Sequence, residues 1–124
     1  SGGEAARILL ALRGALAVRR STPTLVFDEV DAGVGGRLGP KVASHLERLG
    51  DHHQVLCVTH LPAIAATAAR HLKVEKSVEG GRTRTRITVL FGEERIAEVA
   101  DMIAGGAAEP TALAEARRLL GAGS

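Results

Sequence analysis

The sequence predicts an α/β fold in which parallel strands alternate with helices and an antiparallel hairpin and two closing helices follow. Two short apolar runs, "TLVF" at 24–27 and "QVLCVT" at 54–59, are separated by a helical pattern, as in parallel βαβ units. Further on, "HLKVEKSV" and "RTRTRITVL" alternate in polarity around "EGG", a glycine turn between two strands. Aromatic residues are nearly absent, with only Phe27 and Phe91, so the core must be built from Leu, Ile, Val and Ala. With 124 residues, 45% of them hydrophobic, the chain has the size and apolar content of one domain, and a single unit over 1–124 is expected.

Each element has its own signal. After "SGGE", residues 4–19 put Ala5, Leu9, Leu12 and Leu16 on one helical stripe, with Arg7, Arg13 and Arg20 mostly elsewhere. "STP" breaks that helix. "TLVF" then reads as a strand buried on both faces, as central strands of parallel sheets are. "DAGVGG" is a glycine-rich loop, and "RLGPKVASHLERLG" forms a helix with Pro40 in its first turn and Gly50 as its stop. "QVLCVT" is a second apolar strand that ends at His60, and "LPAIAATAARH" begins a helix with Pro62 near its first position. The hairpin is expected to extend or cap the parallel sheet. In "EERIAEVADMIAG", Ile96, Val99, Met102 and Ile103 share a face; in "PTALAEARRLLG", Leu113, Ala116 and Leu120 do.

Composition excludes several classes of function. No apolar stretch approaches the roughly 20 residues that span a bilayer, and no charged-then-apolar start marks a signal peptide, so a cytoplasmic protein without a membrane partner is expected. The single cysteine, Cys57, lies inside an apolar run and reads as a small buried side chain. The net charge of +2 argues for no particular partner. His45, His52, His53 and His71 show no zinc spacing. Arg82, Arg84 and Arg86 alternate along one strand and so share a face; that stripe suits nucleic-acid phosphates or, more simply, is the solvated side of an amphipathic hairpin. Without Trp or Tyr, base stacking in the manner of single-strand binders is not expected.

The chemistry concentrates at strand ends, where parallel sheets gather their ligands. Asp28 and Glu29 end the first strand and His60 follows the second, and neighbouring strands lie about 5 Å apart. With Asp31, the acids would repel one another unless a cation held them. Magnesium, which prefers oxygen ligands and brings phosphate with it, fits best. An apolar strand ending in Asp then Glu is the Walker B arrangement, in which the first acid serves the magnesium and the second the attacking water; the plainer alternative makes all three loop acids. Ser1, Gly2 and Gly3 would leave backbone amides open at a helix start, an arrangement suited to phosphate, although a serine cap with glycines also begins many ordinary helices. A G-x-x-x-x-G-K-(S/T) loop is missing.

"SGGE" opening a helix, "LVFDEVDAG" about two dozen residues later and "VTH" at the next strand's end together resemble the C-terminal lobe of an ABC-type P-loop NTPase head of the SMC-like family. The wording of "FDEVDAGVGG", "QVLCVTHLPAIAATAARHLKVEK" and "EERIAEVADMIAG" is similar to the bacterial DNA-repair branch of that family, over essentially the whole chain. The resemblance implies an ATPase that uses ATP and magnesium to drive head engagement in DNA double-strand break repair and recombination, working on the nucleoid. It makes Asp28 the magnesium ligand, Glu29 the catalytic base and His60 the switch histidine that meets the γ-phosphate and attacking water. Ser1, Gly2, Gly3 and Glu4 become the signature motif, which binds ATP held by an opposite head, and Asp31 and Gly33 belong to the D-loop. The partners implied are the N-terminal Walker A lobe of the same protein, a second head in an ATP-dependent homodimer, and DNA. Residues 1–124 are then half of a head without the phosphate loop or coiled coil, and no ATP hydrolysis is expected of them alone. A lobe that keeps the fold as a structural or interaction module of a DNA clamp, without turnover, is the alternative.

Overall fold

A computed structural model describes residues 7, 8, 10–12, 14, 15 and 24–121. The chain divides into two compact units, Ser1–Thr67 and Ala68–Ser124, each with its own core.

The first unit is built on a parallel strand pair. Strand β1 (Thr24–Asp28) pairs with β2 (Gln54–Val58) in a register that sets Thr24 against Gln54 and Asp28 against Val58. The crossover between them carries helix α1 (Gly39–Gly50), with Pro40 in its first turn as the sequence predicts. Helix α2 (Pro62–Thr67) follows β2 and packs against α1. Phe27, Val34, Val42, Ala43, Leu46 and Ile64 form the core, joined by Leu10 from a helical segment that precedes β1. In that segment Leu12, expected on the apolar stripe, is exposed, whereas Leu10 is buried and Gly14, one turn on, lies against Leu49. The core-facing side is therefore turned away from the stripe that spacing alone suggested.

Burial of the strand pair on both faces is not what the structure shows. Leu25, Phe27, Val55 and Cys57 face the core, while Val26, Leu56 and Val58 lie exposed on the other face. Adjacent side chains on a strand point to opposite faces, and among the described residues helices cover one face only.

In the second unit β3 (His71–Glu79) and β4 (Arg82–Leu90) form a hairpin. Gly80 and Gly81 both take positive φ, 57° and 73°, which a two-residue turn of the twist-matched type requires. The hairpin pairs only with itself; the two strand pairs are separate sheets, so the expected extension of the parallel sheet does not occur among the described residues. Helices α3 (Gly92–Ala104) and α4 (Pro110–Leu119) pack through Ile96, Val99, Ala100, Ala112 and Ala116. Glycine ends α3 at Gly105, in the left-handed conformation common after a helix.

Candidate functional site

The first unit brings the carboxyl ends of β1 and β2 side by side, since Asp28 sits opposite Val58 and His60 lies two residues beyond it. Asp28 and Glu29 are both exposed there. Glu29 has φ 52°, and among the described residues it is the only non-glycine with positive φ. Its carbonyl accepts a 3.0 Å hydrogen bond from the Ala32 amide, which closes a tight turn directly after the strand. A side chain held in the left-handed region costs roughly 1–3 kcal/mol and persists where the surroundings impose it, most often at functional sites. The turn thus sets Glu29 apart from the strand that leads into it.

Asp31 behaves in the opposite way. It is 2% exposed and is the one buried charged side chain among the described residues. Its Oδ2 accepts hydrogen bonds from the Thr59 hydroxyl, from the His60 amide at 2.8 Å and from the Leu61 amide at 3.2 Å, and lies 3.0 Å from His60 Nδ1. Thr59 Oγ1 in turn accepts from the Leu61 amide at 3.0 Å. Burial pushes the Asp31 carboxyl up, but the Thr59 hydroxyl, the His60 amide and the His60 ring outweigh it, leaving the group below its ordinary value and ionised. These donors stand at the start of α2, where the leading amides lack helical partners and Pro62 has none to offer. One carboxylate therefore ties the loop after β1 to the loop after β2. Val34 anchors the rest of that first loop in the core, leaving Ala32 and Gly33 exposed between two fixed points, with Gly33 at φ 73°.

The expected site is thus partly assembled. Asp28, Glu29 and His60 lie at one edge of the strand pair, and His60, with its side chain 74% exposed, is held by Asp31. Asp31 itself turns inward instead of joining an outward cluster of acids. Among the described residues no group of three or more His, Cys, Asp or Glu side chains could hold a metal. Magnesium does not demand such a cage, because one or two carboxylates commonly hold it together with water and substrate phosphates; the exposed Asp28 carboxylate suits that donor set. Ser1, Gly2, Gly3 and Glu4 lie outside the described residues. Cys57 faces the core beside Phe27, and burial, with the Asp31 charge adding, pushes its thiol up to about 11, which makes it a poor nucleophile at neutral pH.

Thr59 and the Leu61 amide are parts of the site that the sequence did not mark. The "VTH" wording contains Thr59, but its acceptor is 28 residues away in the chain and no local pattern names it. On the hairpin, Arg82, Arg84 and Arg86 do share a face, set against Glu79, Ser77 and Glu75. Lys73 on that face is paired with Glu98 and Glu75, and Arg84 lies 3.6 Å from Glu79, whereas Lys76 sits on the opposite face. Acids thus interleave the basic stripe.

A parallel strand pair with helices, together with a separate antiparallel hairpin, defines an α/β arrangement, and its fold is that of an SMC ATPase head. The structure matches a solved chain described under "Structural biochemistry of ATP-driven dimerization and DNA stimulated activation of SMC ATPases", with TM-score 0.67 and 24% identity, over 84% of this chain and 62% of that one. Within that class the chain belongs to the RecN family, as a segment of it. It is 52% identical over 120 residues to the DNA repair protein RecN of Deinococcus radiodurans, covering 97% of this chain and 21% of that protein. Against RecN of Treponema pallidum the identity is 46% over 124 residues, 100% of this chain and 22% of that protein. The chain therefore spans about a fifth of the length of the curated relatives it matches. No protein-family model matches it.

Proposed function

We propose that this chain is the C-terminal lobe of an SMC-like ATPase head that acts in DNA repair, contributing Walker B, D-loop, switch-histidine and signature elements to a site completed by a Walker A lobe of the same protein. The observation that carries the reading is the placement of Asp28, Glu29 and His60 at one edge of the parallel pair, with Glu29 held at φ 52°.

In the mechanism Asp28 would hold magnesium, often through water, and the bound ion would neutralise phosphate charge. Glu29, set off from the strand by its turn, orients the attacking water and accepts its proton; its exposure leaves it free to meet a ligand. His60 projects from the neighbouring strand end toward the γ-phosphate and that water, fixed on its inner side by Asp31. The exposed Ala32 and Gly33 belong to a D-loop that faces an opposite head. Ser1, Gly2, Gly3 and Glu4 complete that head's ATP site, so head engagement in a homodimer follows ATP binding, and hydrolysis releases it. In the whole protein this cycle serves double-strand break repair and recombination on DNA, in the cytoplasm at the nucleoid. No helix among the described residues is long and apolar enough to cross a membrane.

The division of the site supplies the test. This chain alone is expected to show no magnesium-dependent ATP turnover, and adding the Walker A lobe of the same protein is expected to create it. Turnover by the chain alone would overturn the division, and a joined head that binds ATP without hydrolysing it would favour a structural lobe.

A further inference from the structure

Asp31 is a buried, ionised group whose contacts are out of proportion to a loop acid. Four donors converge on a single oxygen, Oδ2: the Thr59 hydroxyl, the His60 and Leu61 amides, and His60 Nδ1. An ionised carboxylate only accepts hydrogen bonds, so a ring nitrogen 3.0 Å from it must carry the proton. Two of the four contacts come from His60 itself, one from its backbone and one from its ring. They fix both the position of the residue and the rotation of its imidazole, while 74% of the side chain remains exposed. A histidine nitrogen's role is set by the bond that the other nitrogen makes.

We propose that Asp31 is a positioning residue for His60: its Oδ2 locks the ring in the Nδ1–H tautomer and directs Nε2 outward as the atom that meets the ligand. In the neutral ring Nε2 then accepts a hydrogen bond from water; in the doubly protonated ring it donates to a phosphate oxygen, with the Asp31 charge opposite. The catalytic meaning of this rests on the reading of His60 as the histidine facing the γ-phosphate, while the geometry belongs to this chain alone. Asp31 acts here within its own chain, a task separate from contact with an opposite head.

Nitrogen-15 NMR of the imidazole, recorded on this chain without nucleotide at about pH 8.5, where an ordinary histidine is neutral, reads the tautomer directly. The expected spectrum places Nδ1 of His60 in the protonated range and Nε2 in the unprotonated range. Asp31→Asn keeps the shape and removes the charge, and it should shift both resonances back toward the Nε2–H form. Wild-type His60 in the Nε2–H form would overturn the proposal, as would an Asp31→Asn spectrum unchanged from wild type. Thr59→Val removes the hydroxyl but leaves Asp31 in place; it should retain the Nδ1–H pattern, and loss of that pattern would assign the orientation to the hydroxyl and refute the proposal. Because no nucleotide is present, the result stands apart from whether the joined head hydrolyses ATP.

Discussion

The two units of the chain hold themselves together differently. The second closes locally: β3 turns into β4 through two glycines, and α3 packs on α4 through small apolar residues with Glu93 and Arg117 bridged at 3.1 and 2.8 Å on the surface. The first closes through residues about 30 positions apart, with Thr24 pairing with Gln54, Asp28 with Val58, and Asp31 with His60 and Leu61. Among the described residues the second unit, built from a hairpin and two consecutive helices, has no buried charged side chain. The long-range unit has one, Asp31, at the junction where the candidate chemistry sits. Reactive groups carried on two separate loops must be placed to within a fraction of an ångström, and a shared carboxylate does that where apolar packing, which is non-directional, cannot.

The largest expected effect sharpens this contrast. Phe27 is buried at the centre of the first core, on the strand that delivers Asp28. Phe27→Ala should cost about 3–5 kcal/mol, read by hydrogen exchange as lost protection in β1, β2 and α1. A loss spread evenly over both units would break the comparison.

Acid separates the units more gently. Asp31 lies below its ordinary 3.8, so the folded state binds fewer protons than the unfolded state there. Its stabilisation is complete above that value and is lost as pH falls through the folded value. Asp31→Asn should flatten the acid limb of the first unit. In the second unit burial, helped by the Arg95 charge, pushes His71 below its ordinary 6.5, so a loss should begin as pH falls below that value. Melts at stepped pH, followed by unit-resolved NMR, should show the His71 loss first and the Asp31 loss several pH units lower; the reverse order would contradict both assignments.

Much of this organisation is legible from residue order. The hairpin was announced by "EGG", because a two-residue turn with positive φ at both positions nearly requires glycine. The parallel pair followed from two apolar runs flanking a helix, and the placement of Asp28, Glu29 and His60 at one edge from their positions where such strands end. The open face of Val26, Leu56 and Val58 was not legible, since an apolar run looks the same whether or not something covers it. Nor was the inward turn of Asp31. "DEVDAG" shows three acids in four positions, and only the fold, by bringing Thr59, His60 and Leu61 across, separates the buried one from the exposed pair. The left-handed backbone of Glu29 is equally a product of tertiary structure, since nothing in a glutamate side chain asks for φ 52°.

The central claim, that this edge of the parallel pair performs ATP hydrolysis with Glu29 as the base, meets its most direct test in the complete head. Glu29→Gln preserves size and hydrogen bonding but cannot take a proton. The account predicts ATP turnover lowered by about 10²–10⁴-fold while ATP binding and head dimerisation persist or strengthen. Hydrolysis at the wild-type rate by the Glu29→Gln protein would contradict it.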